Sequence, residues 1–435
     1  PQQRTMHEMS LLPGFAVSQG IPYAFTNPFI SEVPKSAVAF NRGRTRHAFE
    51  RPTNLVMKMG DQPPRDGSTR RNVMTGVLAT LFTALTGSGL TATRVDAEAE
   101  LASNQGQCFE IIPTGDIAQP CVLGAFTKNG EETLLDGLSS CDVVFLGEHH
   151  DKAADHNLQA RIVAGLSDRK GNGNVCLGLE MVQVKFQKAL DEYINNKKVS
   201  EEEAEKALFE GTMWEERWNW PFDRYLPVFR EARKRGIPLV AVNVNSESLQ
   251  KVRLGGLENL DAEEKDLYVA DKKGFIEFGK TPGFKQYVND VVLPSYDFHA
   301  RMGMLGANPS PARFYASRIL WDEAMANLAL KYLSETKNDK MTMVMLEGAD
   351  HVKYRRGTVG RIERLAKYMG KQDCKVKSVL LNPSAVDTLQ EPSGPMSLSL
   401  AYDGGSMPIS DYLWFSQTPS DTLVPPSMKL KYMKN

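Results

Sequence analysis

Two short stretches concentrate the side chains able to do chemistry. Gly147-Glu148-His149-His150-Asp151 and Glu347-Gly348-Ala349-Asp350-His351 each follow an apolar run, and each contains Gly-x-x-His, from Gly147 to His150 and from Gly348 to His351. Neutral imidazole and carboxylate suit zinc, manganese, iron or cobalt, and a glutamate nearby can act as general base on a bound water. On this reading His150, His351, Glu148 and Glu180 are the candidate metal ligands, with Glu148 or Glu180 the catalytic acid-base group. Glu180 closes a third apolar run, where a carboxylate would be stranded without a cation or a donor. Asn243 and Asn245 end a fourth. Of seven histidines in the chain, His149, His150, His156 and His351 gather at these run ends, which favours a joint role over separate structural ones. Asp350 reads equally well as a turn cap or a ligand.

For these residues to meet, the runs must be neighbouring strands. Residues 142–146 (DVVFL), 175–179 (VCLGL), 237–244 (IPLVAVNV), 341–346 (MTMVML) and 376–381 (VKSVLL) are apolar without alternation, as strands buried on both faces are. Helical period lies between them. Leu158, Ile162, Val163 and Leu166 make one face; Tyr225, Val228, Phe229 and Ala232 make another, stopped by Gly236. The alternation predicts an α/β fold: a mostly parallel five-stranded sheet with helices on both faces, whose carboxyl edge carries the polar run ends. A helical insertion over about 246–311, followed by a long helix from about 312 to 335, is expected to cap that edge. Trp214, Trp218, Trp220 and Phe222 read first as core, and would also suit a flat apolar ligand. Tyr296 and His299, like His351 and Tyr354, lie three apart and are predicted to share helical faces. Tyrosinate and imidazole can both ligate haem iron.

Composition narrows the classes. The 435 residues are 41% hydrophobic and 24% charged, with 52 Lys+Arg against 53 Asp+Glu, so no overall field favours nucleic acid or an anionic membrane. Five scattered cysteines include no Cys-x-x-Cys, and Cys108 and Cys121 leave both a disulfide and free thiols open. Walker-A, Gly-x-Gly-x-x-Gly and Gly-x-Ser-x-Gly patterns are missing, which removes phosphate-loop ATPases, classical dinucleotide enzymes and ordinary serine hydrolases.

Residues 1–99 read as a targeting region. An acid-poor, basic leader resembles a transit segment; over about 70–99, Arg70-Arg71, an uncharged stretch at 73–93 and Ala97-Glu98-Ala99 make a twin-arginine export signal. That pairing predicts a plastid protein bound for the thylakoid lumen, with a periplasm or other exported compartment as the alternative. Residues 100–139 are expected as an extension, 140–416 as the main domain and 417–435 as a flexible tail. No integral membrane segment is expected in the mature protein.

The chain resembles the ChaN-like haem-binding uptake proteins of the Tiki superfamily. The resemblance rests on VVFLGEHHD with residues 157–161, LGLEM at 177–181, Trp321-Asp322 with Met325-Ala326, GADH at 348–351 with Gly357, and residues 411–415; it covers about 140 to 416. It implies a protein that holds haem or another small ligand but carries over no particular tyrosine; His149, Tyr296, His299 and Tyr354 are candidate cofactor contacts by residue type and position, and Arg318 suits either a haem propionate or another carboxylate, or an ion pair with a surface acid. Distant members imply a metal-dependent hydrolase in which His150 and His351 are the paired histidines and Glu148 and Glu180 the acids. A non-catalytic assembly factor with protein partners at the thylakoid is the third reading. The resemblance departs at Cys108, which follows Gln107 without a lipobox, and at Arg318, where relatives often carry glutamine.

Overall fold

In a computed structural model the chain is described over residues 106–430, apart from 127–129, 172, 306–307 and 389; the targeting region expected at 1–99 lies outside the described residues. The five expected runs form five adjacent parallel strands: β3 (Val143–Glu148), β4 (Val175–Gln183), β5 (Leu239–Asn243), β6 (Thr342–Gly348) and β7 (Val376–Leu381), in spatial order β7-β3-β6-β4-β5.

The sheet is nevertheless eight-stranded and mixed, which corrects the five-stranded expectation. β10 (Tyr412–Phe415) joins β7 in parallel, β1 (Gln107–Pro113) pairs antiparallel with β10, and β2 (Cys121–Ala125) pairs antiparallel with β1. Residues read as an extension therefore complete the sheet. β2 is the edge strand and β1 lies inside it, both half-covered and joined by a turn through Gly115, a connection too short for the crossover that parallel pairing needs. A ribbon of β8 (Ser399–Tyr402) and β9 (Gly405–Pro408) stands apart from the sheet. Residues 417–430 return to the β2 edge, where the Leu430 N–H donates to the Leu123 carbonyl at 2.9 Å and Val424 is buried.

Alternate residues of each strand enter two cores. Val144 and Leu146 face α1 (Gly130–Ser139), α2 (Ala153–Lys170) and α5 (Leu226–Arg235), with α3 (Gln187–Asn195) and α4 (Glu201–Gly211) outside β4. Val143 and Phe145 belong to the opposite core, which contains α11 (Pro311–Glu335) and α12 (Thr358–Tyr368). Cys108 and Cys121 fall in different cores and are free thiols, because β1 sets Pro113 rather than Cys108 opposite Cys121.

The insertion contains α6 (Ser246–Gly255), α7 (Ala262–Tyr268), α8 (Lys272–Lys280), α9 (Pro282–Tyr287) and α10 (Leu293–Arg301). α9 runs into α10 without a break through a π-helical turn, Val288–Val292. Its anchor is ionic and aromatic: Arg364 of α12 pairs with Asp271 and Glu323, while the Arg361 guanidinium lies 4.8 to 5.7 Å from the rings of Phe275, Phe278 and Phe284. Among the described residues no helix is long and apolar enough to cross a membrane.

Candidate functional site

Because β3, β4 and β6 run parallel, their carboxyl ends place Glu148, Glu180 and the residues after Gly348 on one edge. Both Gly-x-x-His glycines are required by close packing. A Cβ on Gly147 would stand 2.6 Å from Leu380 Cδ2, and one on Gly348 would stand 2.8 Å from His150 Nε2. Gly357 is held to the same rule, since its Cβ would meet the His351 carbonyl oxygen at 2.1 Å.

Two acid–imidazole groups result. Glu148 Oε1 lies 2.8 Å from His150 Nδ1 and accepts from the Tyr225 hydroxyl at 3.0 Å, while Oε2 accepts from Gln159 and lies 3.5 Å from His156 Nδ1. Glu180 Oε2 accepts the Gly348 N–H at 2.6 Å, and Oε1 lies 3.2 Å from His351 Nε2. His351 Nδ1 in turn bonds Asp322, which accepts from Arg318 Nε at 3.3 Å. Arg318 also donates to the Tyr287 hydroxyl at 3.1 Å, and that hydroxyl donates to the Asp350 carbonyl at 2.5 Å.

Charge follows from these bonds. Burial would raise Glu180, but His351, His150 and the Gly348 N–H outweigh it and hold the carboxyl at about 2. Burial and Arg318 would lower His351, but Glu180 and Asp322 push it up to about 9. At neutral pH the pair is carboxylate and imidazolium. His150, His351, Glu148 and Glu180 do converge, as the sequence implied, yet they are paired with one another, and among the described residues no group of three or more His, Cys, Asp or Glu is arranged to hold a metal ion.

Above this floor opens a cavity of about 960 Å³, walled by α6, α10 and α11. Trp218, Trp220 and Trp321 line it with His150 and His351; Trp218 and Trp220 have ring centroids 5.1 and 5.4 Å from His150, and Trp321 is 5.4 Å from His351. The aromatic knot thus divides. Trp214 packs in the core against Phe222 and Phe229, and its two neighbours face the cavity. Trp321 Nε1 is buried and has no partner among the described residues.

His299, from α10, also lines the cavity. Its Nδ1 lies 2.7 Å from the Ser295 carbonyl, an acceptor only, so Nδ1 carries the proton and Nε2 the lone pair. Burial lowers its pKa, which keeps the ring neutral. The other histidines of the site are engaged: His149 at both nitrogens, His351 at both, His156 at both, and His150 at Nδ1 with Nε2 packed over Gly348.

The tyrosines expected beside these histidines do not line the cavity. Tyr296 packs against Phe314 at 5.6 Å, and Tyr354 is 4% exposed in the core. The helix after β6 ends at Val352, and Tyr354 adopts φ 60°, so it shares no helical face with His351. Arg318, expected to meet a propionate, lines the cavity but is buried and bonded to Asp322 and Tyr287. Sequence reading missed Tyr225, Gln159, Asp322 and Asp387. Gln159 and Asp322 do lie in the stretches that carry the resemblance, 157–161 and Trp321-Asp322, and Asp322 also stands four residues from Arg318.

His149 is a clasp. Nδ1 lies 2.8 Å from Asp155 Oδ2 and Nε2 3.1 Å from Asp387 Oδ2, tying the loop after β3 to the segment after β7. Burial would lower its pKa, but the two carboxylates push it up to about 10 from 6.5. The clasp therefore contributes its full stability below pH 6.5 and loses it as pH rises through about 10, a change on the order of a few kcal/mol. Melting temperatures should fall over that window more steeply in the native chain than in His149→Gln; parallel curves would refute the clasp.

The family model described as haem-binding uptake, Tiki superfamily, ChaN matches residues 134–362. Among curated proteins, the chain is 24% identical over 308 residues to Protein RETICULATA-RELATED 5, chloroplastic, of Arabidopsis thaliana, a match covering 69% of this chain. The chain spans 37% of that relative's length. Among solved structures, it is similar to ChaN of Campylobacter jejuni, described as binding haem cofacially, with 17% identity, TM-score 0.44, and coverage of 71% of this chain and 96% of that one. It is also similar to the erythromycin esterase mutant EreC H289N in its open conformation, with 13% identity, TM-score 0.34, and coverage of 66% and 93%.

Proposed function

The chain belongs to the haem-binding uptake family of the Tiki superfamily, ChaN, and on that premise we propose that it binds haem in the cavity above the sheet, with His299 as the axial ligand. The observation that carries the reading is the free Nε2 of a neutral, lining imidazole whose other nitrogen is fixed on the Ser295 carbonyl. A hydrogen-bonded Nδ1 orients such a ring and raises its basicity toward a metal. The cavity's size and its aromatic lining support a ligand of this breadth. A bound haem would supply a redox-active, Lewis-acidic iron; the protein's part is to hold the macrocycle on Trp218, Trp220 and Trp321.

The hydrolase reading is the weaker one, because the carboxylates and imidazoles it needs are bonded to each other. A plastid location is supported by the chloroplastic relative and by the transit-like leader, and the twin-arginine signal extends the proposal to the thylakoid lumen. Haemin titrated into the full chain should give a saturable, shifted Soret band near one equivalent. A linear rise without saturation would overturn the proposal.

A further inference from the structure

The mouth of the cavity has a chemistry that the floor lacks. Arg253 of α6, Arg301 at the end of α10 and Arg313 at the start of α11 all line it, and all three are exposed. Arg253 and Arg313 have no side-chain hydrogen bond or ion pair among the described residues, and Arg301 reaches only the Asp297 carbonyl of its own helix, at 3.2 Å.

The acids deeper in are already answered. Glu148 and Glu180 face His150 and His351, Asp387 faces His149, Asp350 pairs with Lys353 at 2.6 Å, Asp290 accepts the Gln286 amide at 2.6 Å, and Asp151, an exposed lining acid, pairs with Lys152 at 3.7 Å. Large apolar groups are exposed beside the arginines: Leu254 next to Arg253, and Phe298 and Met302 around Arg301. Unpaired guanidinium groups above an aromatic floor suit a ligand with a flat apolar body and an anionic edge.

We propose, building on the haem reading, that the site selects its ligand by carboxylates rather than by the metal. Arg253, Arg301 and Arg313 bind the acid edge of a flat tetrapyrrole dicarboxylate, which enters body first and leaves its two carboxylates at the mouth. Metal-free porphyrins of that class are then ligands as well. Arg318 and Lys353, already bonded to protein oxygens, take no part in the selection.

The test uses the full chain, metal-free protoporphyrin IX and its dimethyl ester, followed by quenching of tryptophan fluorescence. The diacid should bind within about tenfold of haemin, and the ester should bind at least about tenfold more weakly, given the strength of charge-assisted guanidinium–carboxylate bonds. The variant with Arg253, Arg301 and Arg313 all changed to alanine should bind diacid and ester alike, and the native preference for the diacid should shrink with added salt. The substituted side chains are exposed, so folding should be unaffected, which circular dichroism checks.

Equal binding of diacid and ester by the native chain, or a preference that survives in the triple variant, overturns the selection even if haemin binds. Binding of the diacid with no haemin titration would remove the axial role of His299 and leave the selection standing. Failure of all three ligands would overturn both.

Discussion

Replacement of His299 by alanine should weaken haemin binding about 30- to 100-fold and displace the Soret maximum, which is the loss expected for about 2 to 3 kcal/mol of ligand bonding. The fold should tolerate the change. Among the described residues the imidazole bonds only Ser295 of its own helix, and it packs on Phe298 and Phe314 at the cavity wall. His299→Tyr should recover part of the affinity with a different spectrum, because tyrosinate also ligates haem iron. His149→Gln, which loosens a clasp engaged at both nitrogens, should keep the native spectrum at neutral pH. Native affinity and an unmoved Soret band in His299→Ala would remove the axial assignment.

A second large effect is expected away from ligand, at Glu347. This carboxyl is fully buried on β6; neither oxygen has a hydrogen-bond partner among the described residues, and the Thr358 hydroxyl on α12 is likewise unpaired. Burial pushes its pKa up to about 8, with Glu180 and Asp322 adding to the shift and His351 and the nearby Thr358 hydroxyl opposing it. The unfolded chain ionises this group near 4.5, so its cost to stability grows from that pH upward and levels off above about 8. Glu347→Gln should therefore raise stability by on the order of a few kcal/mol at pH 8 to 9 and change little near pH 4. Denaturant melts at the two pH values measure it. A loss of stability at pH 9 would mean that the ionised group is held by a partner the geometry does not reveal.

The two pH effects share a sign, stability falling as pH rises, but they arise from opposite causes. His149 gains two carboxylates on folding, so its charged form is favoured, whereas Glu347 loses water without a well-placed donor in exchange, so its neutral form is favoured; in both cases the folded chain holds the proton more tightly.

The inner sheet was legible because burial on both faces erases alternation, leaving five plain apolar runs whose ends carry the ionisable residues. β1, β2 and the ribbon of β8 and β9 were not, since half-covered strands beside Pro113, Gly115 and Gly404 look like loop. At the site, convergence of His150, His351, Glu148 and Glu180 followed from strand direction alone. Their pairing did not, because it depends on Tyr225, Gln159 and Asp322, which arrive from helices with no fixed sequence distance to the strands. Tyr354 shows the same limit in the backbone: three residues from His351 is a shared face only while the helix continues, and here it stops.

The π-helical turn at Val288–Val292 decides which way His299 points. Tyr287 on the floor and His299 on the wall are twelve positions apart along one continuous helix, which in plain α geometry would set them about 120° apart. The turn absorbs one residue, so the effective phase is that of eleven positions, about 20°. Loss of one residue within the turn would convert it to ordinary α-helix and leave both side chains on the same face, whereas gain of one would swing His299 about 100° away. Between relatives, loss of a single residue in this stretch is therefore neutral for the site, and an alignment that forces the lengths to agree would pair His299 with the wrong neighbour.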